Sequence, residues 1–596
     1  MLDPRVEYGR RLESRVQTIA RRERQHIVIG NLKLAAVVVL LALVWLRYGR
    51  QAISVAWLLA PLCAYLGLAI AHEYAIRART HAETAAAFYR AGLARMEDRW
   101  AATGPAGERF RDGKHIYADD LDLFGHGSLF QLLSTAKLPM GENHLAEWLL
   151  RPSAAPRVIE RQDLVQELRE KLDLREDLAV TGEDLRVRLN PESLTKWCEG
   201  LPVFTGRGLG TLLVVLSFAA AATLLYAIYT RTYWEFIIVL AIEGASLIRY
   251  RRRAEALVSG LHCNAEGLLV FAHIVERLAS ETFVSPRLGE LVAAFRQGKQ
   301  MACQAIRRFA RIVTWVDGRE SLLAQILNLP MLYTLQTALA AEAWRRQHGR
   351  QMRAWVAAVG EIEALLSLSA YAFEHPADPF PKIEVAGQRR ALFDGQELGH
   401  PLIPSSQCVR NDICLDVSTR VLLVSGSNMS GKSTLLRTVG INTVLAMAGA
   451  PVRGKRLRMS PLAVGTKLRS IDSLQEGRST FYTELLRIRQ VFDLASGDNP
   501  ILFLLDELLD GTNSHDRRIG AESLVRAFLE SGAIGMLTTH DLALTDMVGP
   551  LGGIVRNAHF DDQVENGQMR FDYRLRDGVV MKSNALELMR LVGLKV

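Results

Sequence analysis

A glycine-rich segment at residues 426–434 has the composition of a phosphate-binding loop. Gly426 and Gly431 are separated by four residues, and Lys432-Ser433 follow directly. An apolar run precedes the segment and an apolar-periodic stretch follows it, so the glycines fall between a predicted strand and a predicted helix. The backbone amides of such a loop, together with the helix N-terminus, bind phosphate oxygens. The segment therefore predicts a site for a nucleoside triphosphate.

The side chains of this loop have distinct predicted roles. Lys432 is placed to reach the outer phosphates, and the Ser433 hydroxyl is a ligand for Mg²⁺. ATP and Mg²⁺ are therefore the expected cofactors. The other residues expected to contact the nucleotide are Gly426, Ser427, Asn428, Met429, Ser430, Gly431 and Thr434.

Two acidic residues further along the chain are the predicted Mg²⁺ ligand and the predicted base for hydrolysis. Asp506 and Glu507 follow the apolar run 501–505, which is typical of a strand buried on both faces. We expect Asp506 to hold Mg²⁺, directly or through water, and Glu507 to polarise the attacking water. His540 ends another short apolar run and is predicted to sense the terminal phosphate, the alternative being an ordinary turn histidine. The predicted catalytic groups are Lys432, Glu507 and His540.

Four motifs in this order resemble the MutS family of ABC-type ATPases. The matching residues are Asn428-Met429, Gly477–Phe481, Asp506–Thr512 and Thr539-His540. They resemble, in turn, that family's Asn-Met pair, its Gly-Arg-Ser-Thr-Phe signature, its Asp-Glu-hydrophobic…Gly-Thr stretch and its switch Thr-His. The resemblance implies that Ser479 of the signature reaches the nucleotide of the opposite subunit. It therefore implies an ATPase that works as a homodimer and that acts on DNA.

The resemblance extends more weakly over residues 120–200, and the chain departs from the family at several points. The mismatch reader of the family carries a Phe-x-Glu wedge, and residues 1–120 have neither the length nor the pattern for it. Family members often place an aromatic residue against adenine where this chain has Cys408, just before Asn411. Base stacking must then be weaker or come from another residue.

Composition and charge describe a large folded protein. The 596 residues are 49% apolar and 23% charged, which suits three or more domains. The net charge of +8 is compatible with an anionic partner. Many of the arginines, however, flank apolar runs, where they are usually topology signals. The six cysteines are scattered, so neither a zinc site nor a disulfide framework is indicated.

Four apolar runs predict membrane-spanning helices. Residues 27–46 and 52–71 form one predicted hairpin, and residues 208–229 and 233–248 form a second, whose last run carries two glutamates. The alternative for each pair is a buried helical hairpin in a soluble core. Two hairpins return the chain to the same side, so we expect a multi-pass protein of the bacterial inner membrane with a cytoplasmic ATPase domain. The lipid bilayer is then one partner.

The predicted fold class combines all-α and α/β regions: two transmembrane hairpins, a MutS-like helical core and lever, and a C-terminal P-loop α/β ATPase domain. The expected segments are a basic lead (1–26), hairpin 1 (27–71), a helical linker (72–119), the first segment of the helical core (120–206), hairpin 2 (207–248), the lever with the second segment of the core (249–378) and the ATPase domain (379–596).

Three functions fit these features. The first is a DNA-binding ATPase of the mismatch-repair type, favoured by the family-like core. The second is a membrane-tethered mechanoenzyme or scaffold that uses the same ATPase domain but does not recognise mismatched DNA. The missing Phe-x-Glu wedge favours this function. The third is a transporter, but the spans lack the polar lining and length typical of one.

Overall fold

A computed structural model of the chain describes two compact units. The residues it describes are 3–50, 54–185, 189–204, 208–261, 263–296, 301–319, 328, 331–384, 391–427, 429–469, 480–509, 513–549, 551, 553–565 and 568–580. Unit 1 comprises Met1–Thr135, Leu145–Lys171 and Leu365–Val596. Unit 2 comprises Ala136–His144 and Leu172–Ala364.

Sixteen α-helices occur among the described residues. The first five are α1 (Pro4–Gly49), α2 (Leu59–Met96), α3 (Leu129–Leu133), α4 (Pro139–Leu150) and α5 (Ala155–Arg169). The next eight are α6 (Leu172–Leu185), α7 (Pro191–Cys198), α8 (Leu209–Thr230), α9 (Trp234–Ser259), α10 (Ala265–Ser280), α11 (Pro286–Arg296), α12 (Ala302–Gly318) and α13 (Tyr333–Glu374). The last three are α14 (Lys432–Ala448), α15 (Thr480–Asp493) and α16 (Ser514–Glu530).

Helices α1 and α2 pack side by side as an arm of unit 1. Asp3 caps α1 by accepting a hydrogen bond from the Arg5 amide, and Pro4 occupies the first helical position, where its missing N–H costs nothing. At the foot of the arm, Tyr8 and Arg95 are buried against Glu374, the last residue of α13. Beyond the foot the arm is held by pairs between its helices, such as Arg79–Glu23 at 2.5 Å.

Four of the described helices are long and apolar enough to cross a membrane. The most apolar window is 0% buried in Pro4–Gly49, 6% buried in the helix through Met96 and 17% buried in Leu209–Thr230. It is 89% buried in Tyr333–Glu374, which is therefore a core helix. Helix α9, where the sequence predicted the fourth span, is not among the four, since Glu235 and Glu243 lie at the start and in the middle of its apolar stretch and arginines follow it.

The predicted helical linker at 72–119 is helical only in its first half. Helix α2 continues to Met96, and single 3₁₀ turns at Trp100–Ala102 and Glu108–Phe110 follow. Asp98, just after α2, has a positive φ of 57°, which ends the helix because L-residues propagate the right-handed form. The chain then runs through turns up to α3.

Unit 2 is helical in its described residues, and aromatic stacking marks its core. The rings of Trp197, Phe309 and Trp344, from α7, α12 and α13, stack in series with centroid separations of 5.3 and 4.1 Å. Helix α12 buries one face, as its apolar residues recur at helical spacing.

The C-terminal region of unit 1 is a mixed α/β domain. The ten strands among its described residues are β1 (Lys382–Ile383), β2 (Phe393–Leu398), β3 (Asn411–Leu415), β4 (Val421–Ser425), β5 (Arg456–Met459), β6 (Ala463–Lys467), β7 (Ile501–Leu505), β8 (Ile534–Thr539), β9 (Val555–Glu565) and β10 (Gln568–Asp577). Four form one sheet in the order β1-β5-β2-β3, and six form another in the order β10-β9-β4-β8-β7-β6.

The six-stranded sheet is parallel except for β10. Every residue of β4, β7 and β8 is buried, as the continuous apolar sequences of β4 and β7 require. The α-plus-α/β class predicted from sequence is therefore confirmed at this level. Because the central strands are parallel, their carboxyl ends meet at one edge, where ligands bind in open α/β sheets.

Candidate functional site

The glycine loop, residues 426–433, joins β4 to α14. Gly426 has φ +153° and Gly431 has φ +102°, values that L side chains rarely adopt. A Cβ at Gly426 would lie 2.9 Å from the Ser430 hydroxyl, and one at Gly431 would lie 3.0 Å from the Tyr573 ring. Helix α14 begins at Lys432, so its unpaired N–H groups face the loop. This is the geometry of an anion-binding helix N-terminus.

Lys432 and two serines present donors inside this loop. The Lys432 Nζ donates hydrogen bonds of 2.7 and 2.8 Å to the carbonyl oxygens of Gly426 and Ser427. The Ser427 and Ser430 hydroxyls are buried and have no hydrogen-bond partner among the described residues. Phosphate oxygens are strong acceptors, and buried hydroxyls without a partner are costly. The loop therefore fits a polyphosphate.

Asp506 and Glu507 lie at the end of β7, close to the neighbouring strand β8. The Thr538 hydroxyl donates to the Asp506 carboxylate and accepts a 3.0 Å hydrogen bond from the Glu507 amide. Glu507 has a positive φ of 47°, an unusual conformation that the surrounding contacts maintain. The strand order β4-β8-β7 thus brings the glycine loop and the two acids to one edge of the sheet.

A cavity of about 600 Å³ opens beside the glycine loop. It is lined by Ile403, Gln407, Cys408 and Val409 from one wall, by Ser427, Met429, Lys432, Ser433 and Thr434 from the loop and α14, and by Glu507, Phe560 and Tyr573. His400 also lines it, and burial, with Arg437 nearby, lowers the pKa of this imidazole to about 4. The His400 imidazole is therefore uncharged at neutral pH.

Models of two protein domains match this chain. MutS domain V matches residues 422–595, which contain the glycine loop and both acids, and MutS domain III matches residues 115–196. The chain belongs to the MutS family. Within the MutS domain V match lie the six-stranded sheet from β4 onward and α14 to α16.

Relatives with MutS names cover a portion of the chain. It is 35% identical to the endonuclease MutS2 of Thermus thermophilus over 203 residues, 33% of this chain and 25% of the relative. It is 31% identical to the DNA mismatch repair protein MutS of Aquifex pyrophilus over 242 residues, 40% and 27% of the two chains. With the MutS of Listeria innocua it shares 25% identity over 356 residues, 59% and 40%. The chain thus spans a quarter to two fifths of these relatives.

Most of the predicted site residues come together at this cavity of the MutS-family domain. Ser433, Asp506 and Glu507 lie around the same sheet edge as the loop. His540 Nδ1 lies 3.7 Å from Glu507 Oε1, a contact that is an ion pair only when the imidazole is protonated. Asn428 and the signature residues 477–479 lie outside the described residues, and the trans role of Ser479 stays a prediction.

The residues fit Mg²⁺ only together with phosphate. Among the described residues no group of three or more His, Cys, Asp or Glu side chains could hold a metal by itself. A hydroxyl at Ser433 and a carboxylate at Asp506 suit a hard cation that keeps water and phosphate oxygens as its other ligands. This donor set agrees with the sequence prediction of a nucleotide-bound Mg²⁺.

Tyr573 is a site residue that sequence reasoning missed. It lies in β10 at an irregularity where the pairing with β9 shifts register, and its φ is +55°. Asn411 fixes this distortion: its Nδ2 donates to the Tyr573 carbonyl at 3.0 Å, and its Oδ1 accepts from the Leu575 amide at 2.8 Å. The ring is thereby held beside Gly431. An aromatic face is thus present in the cavity although Cys408 supplies none.

Lys467 and Glu484 are a second pair that the sequence did not reveal. Lys467 Nζ donates to the carbonyl oxygens of Asp506 and Glu507 at 2.9 and 3.2 Å and lies 3.0 Å from Glu484. Glu484 also accepts a 2.9 Å hydrogen bond from the Leu509 amide. This pair fixes the turn after β7 and thereby the orientation of Glu507. Its only sequence signal was a lysine at the end of a strand.

Proposed function

We propose that this protein is a MutS-type ATPase that binds ATP with Mg²⁺ and hydrolyses it at a dimer interface. MutS-family proteins are ATPases, which supports the proposal at the level of the family. The observation that carries it in this chain is the loop itself. Lys432 and two buried hydroxyls without described partners surround the space that a polyphosphate fills, and Glu507 lies on the same cavity.

The residues divide the chemistry as follows. The loop amides and Lys432 hold the β- and γ-phosphates, and Ser433 and Asp506 would hold Mg²⁺, which would neutralise charge on the phosphate oxygens. Glu507 orients a water for in-line attack on the γ-phosphorus and accepts its proton, while the bond to the β–γ bridging oxygen breaks. His540, near Glu507, contacts the departing phosphate. In the dimer, Ser479 of each subunit completes the site of the other.

We further propose that nucleotide turnover is coupled to DNA. Relatives of this chain are named DNA mismatch repair protein and endonuclease, and the matched regions include MutS domain III as well as domain V. The test is the ATPase rate of the purified protein in detergent with perfect duplex, mismatched duplex and branched DNA. Stimulation by any of these supports the coupling. A rate that none of them changes favours the membrane-tethered mechanoenzyme or scaffold.

The exposed apolar helices favour a membrane-tethered form of this enzyme. The apolar stretch of α1 from Ile27 to Leu46 is about 30 Å long at 1.5 Å per residue, which matches a hydrocarbon core of about 30 Å. Helices α2 and α8 are similarly exposed. Leaving these surfaces in water is costly, at roughly 25 cal/mol per Å² of apolar area. We therefore propose a bilayer anchor with the ATPase domain in the cytoplasm.

Arginines in the arm should distinguish a bilayer from water. The wild-type protein is expected to stay with membranes after high-salt and alkaline washing. The double variant Leu41→Arg, Leu66→Arg should be extracted more readily than wild type, since each arginine costs roughly 2.5 to 3.5 kcal/mol in a membrane helix. Both positions are exposed, so the same change costs little in a soluble arm. Val6→Arg, also exposed but near the foot, is the control; a wild-type chain in the soluble fraction would contradict the anchor.

Tyr573→Ala is expected to weaken ATP binding about tenfold while leaving the phosphate contacts in place. Aromatic stacking on a base contributes roughly 1 to 3 kcal/mol, and the ring lies at the cavity beside the loop. Tyr573→Phe keeps the aromatic face and should bind ATP normally. Titration with ATP and with inorganic triphosphate separates the two effects, because only ATP carries a base. Equal ATP affinity in the alanine variant would show that the base lies elsewhere.

A further inference from the structure

The arm and the nucleotide cavity are joined by one short wall. Residues 400–409 form this wall: Ile403, Gln407 and Cys408 face the cavity, and the turn is closed by hydrogen bonds from the Gln407 and Cys408 amides to the Pro404 carbonyl. The amide of Ser405, in the middle of the turn, donates a 3.1 Å hydrogen bond to the Asp98 carboxylate. Asp98 comes two residues after the end of α2. The segment that directly follows the arm therefore contacts the cavity wall.

Asp98 is held in place by the foot of the arm. Arg95, three residues earlier, makes two hydrogen bonds of 2.7 and 2.5 Å to Glu374, and both side chains are buried. Tyr8 from α1 donates to the same carboxylate at 3.3 Å, and its ring lies 5.3 Å from Phe373. A Cβ on Gly92 would lie 2.4 Å from the Tyr8 ring, so the two helices are in close contact here. A buried paired charge of this kind fixes geometry.

The wall is also bonded to the helix that follows the glycine loop. The Arg453 guanidinium donates to the Ser405 hydroxyl and pairs with Asp378 at 3.3 Å. The Arg453 amide donates a 2.8 Å hydrogen bond to Asn442 of α14. Asn442 in turn donates to the Gly399 carbonyl at the start of the wall. Asp98, the wall and α14 thus form one continuous network of hydrogen bonds within unit 1.

We propose that Asp98 is a positioning residue for the nucleotide site and that docking of the arm thereby sets the affinity for ATP. The inference rests on the proposed ATPase function. Asp98 lies outside the ATPase domain, and its hydrogen bond fixes the turn at Ser405. The opposite side of this turn faces the cavity, where the base of ATP binds. By thermodynamic linkage, nucleotide bound against the wall stabilises the docked arm by the same factor. Docking of the apolar arm and binding of ATP then strengthen each other.

Three substitutions separate the hydrogen bond from backbone strain and from charge. Asp98→Gly removes the acceptor but tolerates the positive φ, and Asp98→Asn keeps an acceptor in a residue that also tolerates it. Glu97→Ala removes a neighbouring exposed charge that pairs with Arg99. In the full-length protein in detergent, Asp98→Gly should raise the KM for ATP about fivefold with kcat unchanged, as loss of one hydrogen bond predicts. In Asp98→Asn and in Glu97→Ala, the KM for ATP should stay within about twofold of the wild-type value.

Hydrogen exchange gives a readout that does not need turnover. Exchange of the Ser405 amide should speed up in Asp98→Gly, and saturating ATP should slow it in wild type but not in Lys432→Ala. Wild-type KM and kcat in Asp98→Gly, or an equal rise of KM in Glu97→Ala, would overturn the inference while leaving the ATPase intact. Failure of wild type itself to bind ATP would instead overturn the proposed function.

Discussion

Lys432→Ala is expected to lower the affinity for ATP by at least about a hundredfold. The Lys432 ammonium lies inside the glycine loop, where it donates to two backbone carbonyls and can exchange these for phosphate oxygens. Hydrogen bonds to charged groups contribute roughly 1.5 to 3 kcal/mol each, and every 1.4 kcal/mol is a factor of ten in affinity. Equilibrium titration of the detergent-purified variant with ATP measures the loss.

Lys455→Ala is the matched control for this experiment. It removes the same charge from the same unit, but the side chain is exposed and pairs at the surface with Glu397. Such a surface pair contributes about 0 to 1 kcal/mol, so ATP affinity and folding should be unchanged. If Lys432→Ala bound ATP as tightly as this control, the loop would not be the nucleotide site.

Glu507→Gln should bind ATP normally and hydrolyse it about two to four orders of magnitude more slowly. Glutamine has the shape of glutamate and keeps the amide that donates to Thr538, but it cannot accept a proton from water. ATP should then accumulate in the site and hold the dimer closed. Single-turnover hydrolysis and sedimentation of the ATP-loaded variant measure both effects.

The control for Glu507→Gln is Glu522→Gln on α16. Glu522 forms a partly exposed pair with Arg526 one turn away, so the same chemical change there should leave turnover intact. Near-wild-type hydrolysis by the Glu507 variant would remove this residue from the role of base. His540, which lies 3.7 Å from it, would then be the next group to test.

The features of the site that sequence predicted are local in the chain. The glycine loop, the start of α14 at Lys432 and the buried strand Ile501–Leu505 each follow from short stretches whose residue types determine their conformation. Parallel pairing then brings the ends of β4 and β7 to one edge of the sheet. Hence the predicted phosphate loop and the two acids were found together.

The features that sequence missed depend on contacts between distant residues. Tyr573 reaches the cavity only because Asn411, 162 positions earlier, holds a distorted stretch of β10. Lys467 is paired with Glu484 and two carbonyls after β7, and its type alone does not distinguish it from a surface lysine. Helix α9, predicted from an apolar stretch as the fourth span, is not among the four candidate membrane helices because charged residues lie within and directly after that stretch, and its insertion stays a prediction. The order of residue types along the chain does not show which distant residues contact each other.

The foot of the arm has a consequence for how the chain folds as it is synthesised. Arg95 and Glu374 are 279 positions apart, and Tyr8 is 366 positions from the same carboxylate. At roughly 5 to 20 residues per second, the ribosome needs roughly 15 to 55 s after Arg95 to reach Glu374. The two helices of the arm contact each other locally and can pair during that interval, but a contact of such long separation forms late. The two helices of the arm therefore pair early, and their contact with Glu374 forms late. Their apolar surface is present in the cell before the ATPase domain has been synthesised.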